Sequence, residues 1–263
     1  MMNLPPELLD EIIGRLPPED KRSLRNCSLV AKSWIHPSRR RLFETLDVLR
    51  EKNLRLWMKN IPLQNAELFH HVHSLSCRID ASPHGWSDDC GRFLYNDFPL
   101  FPQLRNLVLR SGRLKSITRF RFRVPLTFRH TLEYLSLHRC RATISTLVTL
   151  INYFPNLVHL NLDHLNLDDI YHEVDNQPAP PLSRPLRKLS ITELDTSDDL
   201  GILDQLLGLR LQCEEVILMI DAHAAPSLTQ RVIDGVEVSV KYLKLRPPSN
   251  SECNDLETYR GCY

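Results

Sequence analysis

The sequence predicts an α+β chain, in which a small all-α amino-terminal module precedes an α/β solenoid, a curved parallel sheet with helices on its outer side. Two observations predict this division. Residues 4–34 show helical apolar spacing and carry more apolar surface than so short a module can bury. From residue 72 onward, a short apolar pattern recurs seven times at intervals of 25 to 32 residues. We therefore expect two parts with different tasks.

The first helix is predicted to have two apolar faces. Pro5 suits the first helical position, and Pro17 with Pro18 ends a helix that should run from Pro5 to Leu16. Helical spacing sorts the apolar residues into two sets, Leu4, Leu8 and Ile12 on one face and Leu9, Ile13 and Leu16 on another. Because one face suffices for a small local core, the second face predicts a partner protein.

Residues 3–45 resemble an F-box. The resemblance depends on three stretches, Leu4-Pro5-Pro6-Glu7-Leu8, the apolar Ile12 and Leu16, and the closing Cys27-Ser28-Leu29-Val30-Ala31-Lys32-Ser33-Trp34. The connector from Pro17 to Arg22 is more charged and slightly longer than the commonest pattern, a form similar to fungal-type members, and it leaves the start of the second helix open. The resemblance implies a module that binds the Skp adaptor of cullin-RING ubiquitin ligases, and through it a cullin.

The resemblance and the apolar surplus together indicate which side chains contact the adaptor. We expect these to be Leu4, Pro5, Leu8, Ile12, Leu16, Leu24 and Val30. The alternative is an ordinary helical hairpin that packs onto the rest of the chain.

The carboxyl-terminal part is organised by the repeat apolar-x-x-apolar-x-apolar. Its copies begin at Val72, Leu104, Leu132, Leu157, Leu186, Cys213 and Val240. Copies spaced so evenly are typical of a leucine-rich-repeat solenoid, in which each repeat contributes one short strand. Helices are predicted between the strands after Thr143 or Ser145, after Ser197 and after Ser227. The proline-rich residues 176–185 predict a loop.

The pattern divides the chain into four segments. Residues 1–45 form the F-box, residues 46–71 a helical connector and solenoid cap, and residues 72–245 a solenoid of about six to seven repeats. Residues 246–263 are polar and predict a mobile tail. The first repeat, at Val72, is itself a candidate cap because its distance to the next is the longest.

The composition is that of an ordinary globular protein, with 42% hydrophobic and 25% charged residues among 263. A formal net charge of +1 argues against a globally charge-driven nucleic-acid or membrane binder. No apolar run approaches the roughly 18 residues that span a bilayer. The seven cysteines are widely spread without a C-x-x-C pair, which favours reduced thiols. We therefore expect an intracellular protein, cytoplasmic or nuclear or both.

No catalytic, cofactor-binding or metal-binding motif stands out. The paired carboxylates Asp168-Asp169 and Asp198-Asp199 stand where helices are expected to begin, which favours a capping role. One histidine-rich stretch contains His70, His71, His73 and Cys77. Adjacent histidines on a strand point to opposite faces, which argues against a metal site. The sequence therefore predicts no catalytic residue, metal or cofactor.

Charge is distributed unevenly along the repeats. The stretch from Arg105 to Arg141 is rich in basic residues and contains a single acidic residue, Glu133. We interpret four of them as part of a site for an acidic or phosphorylated target, since arginine forks bind such groups well: Arg110, Arg113, Lys115 and Arg139. The alternative is a solvated face. The alternating stretch Arg119-Phe120-Arg121-Phe122-Arg123 also suits single-stranded nucleic acid, although an amphipathic strand with phenylalanines in the core is the simpler explanation.

These observations predict a non-catalytic substrate-receptor subunit of a Skp-cullin-F-box ubiquitin ligase. The F-box would dock on the adaptor, and the repeats would hold a target near the ubiquitin carrier, which raises its effective concentration. One alternative is a leucine-rich-repeat scaffold without a ligase role. A less favoured alternative is a nucleic-acid-binding solenoid.

Overall fold

The computed structural model describes residues 4–48, 63–78, 101–114, 127–167, 186–192, 213–219 and 242–246. Within these residues, helices at the amino terminus are followed by a sheet of parallel strands, so the fold class is α+β. None of the helices described is long and apolar enough to cross a membrane.

The described elements follow the chain in a simple order. The α-helices are α1 Pro6–Gly14, α2 Lys21–Val30, α3 Lys32–Glu44 and α4 Ile144–Tyr153, and a 3₁₀ helix spans Leu63–His71. The strands are β1 Thr45–Val48, β2 Ser74–Arg78, β3 Asn106–Arg113, β4 Tyr134–Ala142, β5 His159–Asp163, β6 Asn166–Leu167, β7 Leu186–Thr192, β8 Cys213–Met219 and β9 Tyr242–Arg246.

The ends of α1 and α2 follow from local chemistry. Proline occupies the first position of α1, where its missing N–H costs nothing, and Glu7 in the first turn complements the helix dipole. Asp20 caps α2, because its carboxylate accepts a hydrogen bond from the Ser23 N–H at 3.0 Å. Hydrogen bonds from the Ser23 side chain and backbone lower the pKa of Asp20. The start of α2, which the sequence left open, is therefore Lys21.

The helical module closes around a few buried leucine and isoleucine side chains. Leu9 and Ile13 of α1 and Leu24 of α2 are buried, while α2 packs along α3. Lys21 fastens the end of α3, because its ammonium group donates to the Leu42 and Thr45 carbonyls at 2.6 and 2.8 Å. A cation at this position also complements the negative end of the helix dipole.

The module continues into the sheet without a loop. Helix α3 ends at Glu44 and β1 begins at Thr45, so the predicted helical connector of residues 46–71 starts as a strand. The physical reason is that β1 pairs in parallel with β2, which satisfies the backbone groups that a helix would otherwise pair internally. Its remaining residues up to 62 lie outside the described part, and residues 63–71 form the 3₁₀ helix.

The strands lie side by side in chain order, all parallel and in one register. The order is β1-β2-β3-β4-β5-β7-β8-β9, with β6 paired to β4. The middle apolar residue of each predicted repeat pairs with its counterpart in the next strand: Leu75, Leu107, Leu135, Leu160, Leu189, Val216 and Leu243. Where burial is described, the leucines of these strands lie in a single apolar core.

Two backbone features recur from strand to strand. The carbonyls of His73, Arg105, Glu133 and Val158 each accept two N–H groups from the start of the next strand, at 2.8 to 3.0 Å. A positive φ of 47° to 52° recurs two residues after the last apolar residue of the pattern, at Ser111, Arg139 and His164. A left-handed conformation is unfavourable for these residue types, so its recurrence indicates that the same local turn is imposed at these three positions.

One helix packs on the apolar side of the strands. Thr143 caps α4 by accepting a hydrogen bond from the Thr146 N–H at 3.2 Å, which confirms one of the two predicted caps. Leu147, Val148 and Ile151 bury the predicted apolar face in the same core as the strand leucines. The helices predicted after Ser197 and Ser227, the proline-rich loop of residues 176–185 and the tail of residues 246–263 fall outside the described residues, apart from Arg246 at the end of β9.

Candidate protein-interaction surfaces

Helix α1 shows the two apolar faces that its sequence predicts. Leu9 and Ile13 are 3% and 1% exposed, whereas Leu8 and Ile12 are 45% and 44% exposed. Leu4 and Pro5, just before the helix, are also exposed, and Leu16 is half-buried. The module therefore completes its core with one face of α1 and leaves the other face in contact with solvent.

Leu24 does not belong to that exposed surface. Leu24 is predicted from the sequence to contact the adaptor, but this residue of α2 has a fully buried side chain. The physical reason is that α2 packs along α3, and Leu24 is the large aliphatic side chain that α2 buries. A partner cannot contact Leu24 without opening the module.

The end of α2 adds a second exposed apolar pair. Val30 was predicted to contact a partner, and Leu29 was missed. They are 65% and 81% exposed, and Leu29 is the more exposed of the two. A signal was present in the sequence, because Leu29 stands five residues after Leu24, and helical spacing places it off the buried face. We define the exposed apolar surface as Leu4, Leu8, Ile12, Leu29 and Val30.

The predicted basic site is only partly described. Arg110 and Arg139 are exposed, Arg113 pairs in register with Arg141 at the end of β4, and Lys115 lies outside the described residues. The structure brings in Arg78, which pairs in register with Arg110 and was missed. Aligning the repeats would have found it, since Arg78 follows Cys77 just as Arg110 follows Leu109.

The positions that pair in register with Arg110 on the following strands carry polar side chains that bond to one another. Asp163 accepts a hydrogen bond from the Thr192 hydroxyl and pairs with the His138 ring, and its carboxylate also lies 4.0 Å from His164 Nε2. Along the row that starts each strand, Lys188 forms a hydrogen-bonded ion pair with Glu215 at 3.1 Å. The polar groups here are satisfied by one another, whereas Arg78 and Arg110 have no acidic partner among the residues that the structure describes.

His71 lies where the helical module meets the sheet. Its ring packs edge-on against His36 of α3, with ring centroids 5.8 Å apart. Burial lowers the pKa of His71 below its ordinary value of 6.5, and the nearby His36, Arg40, His70 and His73 act in the same direction. The junction therefore favours an uncharged imidazole.

This environment predicts a loss of stability in mild acid. Since the folded pKa is lowered, the unfolded chain binds the proton first, so stability falls as the pH drops below 6.5. His71→Gln should reduce the difference between the melting temperatures at pH 7.5 and pH 5.5 by an amount on the order of 1–2 °C. His130→Gln, in an exposed turn, is the control. An unchanged difference in His71→Gln would contradict the assignment.

No group of three or more His, Cys, Asp or Glu side chains that could hold a metal occurs in the part of the chain that the structure describes. The histidine-rich stretch is divided, since Cys77 is buried in the core and His71 faces α3. The chemistry that these surfaces offer is apolar association at the helical module and charge recognition at the sheet.

Comparison with known families bears on the helical module. Residues 1–36 match the family profile of the F-box domain. No curated protein matches the chain. F-box domains generally bind the Skp adaptor of ubiquitin ligases, and the proteins that carry them are typically non-catalytic ligase subunits. The amino-terminal module of this chain, at residues 1–36, is an F-box domain.

Proposed function

We propose that this chain is a substrate-receptor subunit of a Skp-cullin-F-box ubiquitin ligase. In this proposal the F-box docks on the Skp adaptor, the adaptor brings a cullin, and the sheet presents a target protein. The chain itself transfers nothing. Its place of action is the cytoplasm, the nucleus or both, where such ligases meet their targets.

The observation that carries the proposal is the exposed apolar surface on the F-box. Five large apolar side chains in a module of about 40 residues are 41% to 81% exposed: Leu4, Leu8, Ile12, Leu29 and Val30. Solvated apolar side chains of this number mark an association site, since each one that a partner covers contributes about 1.5–3 kcal/mol when fully buried. The match to the F-box profile supports the adaptor as that partner.

We interpret the sheet as a leucine-rich-repeat solenoid, of the kind that fungal-type F-box proteins combine with this module. The in-register leucines, the carbonyls that each accept two N–H groups, and the recurring positive φ support one repeated unit. On β2, β5 and β7 one face is buried, and the alternate residues form rows of partly exposed polar side chains such as Asn161 and Ser190. Those rows are the surface we assign to the target.

The direct passage from α3 to β1 supports a fixed orientation of the target relative to the adaptor. Besides the Lys21 contacts, the Glu44 carbonyl accepts a hydrogen bond from the His73 N–H at 3.0 Å, and Arg41 bonds the Leu16 carbonyl at 3.1 Å. These bonds tie the end of the module to β2 and to α1. A rigid join keeps the effective concentration of a target lysine near the ubiquitin carrier high, because the target does not sample the many positions that a flexible linker would allow.

Association with the adaptor and a cullin tests the proposal. The full chain, coexpressed with the Skp adaptor, should co-purify with it in equal amount and then bind a cullin. Adaptor binding without cullin binding would favour the scaffold alternative. Failure to co-purify with the adaptor would overturn the proposal.

A further inference from the structure

Two arginines stand at directly paired positions on neighbouring strands. Arg78 closes β2, and its register partner on β3 is Arg110. The residues before them, Cys77 and Leu109, are buried, so both arginines lie on the opposite, polar face of the sheet, and both are exposed. Neighbouring strands lie about 4.8 Å apart, which brings the two positive side chains close together.

Like charges at directly paired positions destabilise a sheet unless something neutralises them. Two other arginines of the basic stretch have partners. Arg105 lies 3.9 Å from Glu133, and Arg129 donates to the Tyr153 carbonyl at 3.1 Å and stacks over its ring. Among the residues that the structure describes, no acid lies within ion-pair distance of Arg78 or Arg110. Both arginines are exposed and, within the described part of the chain, have no neutralising acid beside them.

The surroundings of the pair set the size of the site. On the next strand, Arg139 and Arg141 are exposed near the end of β4, and Arg139 is held in the left-handed conformation. The residue that pairs with Arg110 on the next strand is His138. Its ring pairs with the Asp163 carboxylate, so the row of free positive side chains ends at this position. Among the strands that the structure describes, the positive charge without an acidic partner is therefore confined to β2, β3 and the end of β4.

We propose that Arg78 and Arg110, flanked by Arg139, bind a phosphorylated segment of the target protein. This inference rests on the proposed function, since it assigns the target surface. A phosphate monoester carries about −1.5 to −2 charges and three acceptor oxygens, which matches two guanidinium groups, whereas a carboxylate carries one charge and fills one fork. Nucleic acid fits less well, because it needs a positive groove that follows the backbone over several nucleotides.

Neutralising the pair tests the site. The full chain with its adaptor is titrated with inorganic phosphate at constant ionic strength, and the melting temperature is recorded. Phosphate should raise the melting temperature of the wild type, and in Arg78→Gln/Arg110→Gln this rise should be lost. Arg105→Gln, an arginine of the same stretch that already has an acidic partner, should retain the rise. The double variant without phosphate should melt no lower than wild type, because a like-charge contact is removed.

A second arm identifies the class of ligand. A peptide library displayed in phosphorylated and unphosphorylated forms should show binding that depends on phosphorylation and falls at least tenfold in Arg78→Gln/Arg110→Gln. Equal binding of the unphosphorylated acidic peptides, or tighter binding of a single-stranded oligonucleotide, would overturn the assignment. A lower melting temperature of the double variant without phosphate would also overturn it, in favour of a structural role. Adaptor co-purification, measured on the same preparations, reports separately on the proposed ligase function.

Discussion

Leu8→Asp should abolish co-purification of the Skp adaptor and leave the folded chain intact. In the free chain Leu8 is 45% exposed, and it stands at the third position of α1. A carboxylate in the first turn of a helix interacts favourably with the dipole, which offsets the weaker helix propensity of aspartate. The melting temperature of the variant should therefore stay close to that of the wild type.

The expected effect on binding is large. A carboxylate placed in an apolar interface loses its hydration without gaining a partner, at a cost of at least several kcal/mol. A cost of about 4 kcal/mol weakens binding by roughly a thousandfold. Target capture should survive, because the strands are built from contacts with neighbouring strands, and the captured target should no longer bring a cullin.

Ser33→Asp is the matched control for this experiment. It adds the same charge at an exposed polar position in the first turn of α3. The control should bind the adaptor as the wild type does. If Leu8→Asp instead unfolds the whole chain, Leu8 is a core residue and the exposed apolar surface is not a docking site.

Much of the architecture was predictable because the spacing of the leucines shows two periods, the helical period of the amino-terminal module and the longer period of the strands. The helical period separates Leu8 from Leu9, and the structure exposes the first and buries the second. The longer period placed strand residues such as Leu107, Leu135 and Leu160, which the structure pairs in register. Both patterns reflect apolar burial, which is the strongest signal that a single sequence carries.

Two of the misses share a physical cause, namely that they depend on packing between segments. Leu24 was assigned to the partner because nothing in its own helix shows that α2 packs along α3 and buries it. Residues 45–48 read as a continuation of a helix until their pairing with β2 is known. Both features follow from tertiary contacts, which local pattern does not contain. Arg78 is different, because aligning the repeats would have placed it beside Arg110, more than 30 residues away in the chain.

Leu24→Ala should destabilise the helical module, which is the opposite behaviour from Leu8→Asp. Truncating a fully buried leucine costs about 2–5 kcal/mol, from lost apolar transfer and the cavity that remains. For a chain of this size we expect the melting temperature to fall by on the order of 10 °C. Leu24→Met, which nearly preserves volume, should fall by much less.

Binding then separates a core role for Leu24 from a contact role. If Leu24 acts through folding, Leu24→Ala weakens adaptor binding only as far as it depopulates the folded module. Adaptor at 100 times its Kd supplies about 2.7 kcal/mol of stabilisation and should restore most of the lost melting temperature. A variant that loses affinity while keeping its melting temperature would place Leu24 in the interface and contradict the buried position. Measured beside Leu8→Asp, this variant shows whether the two leucines, sixteen residues apart in the chain, divide between partner contact and core as their exposure indicates.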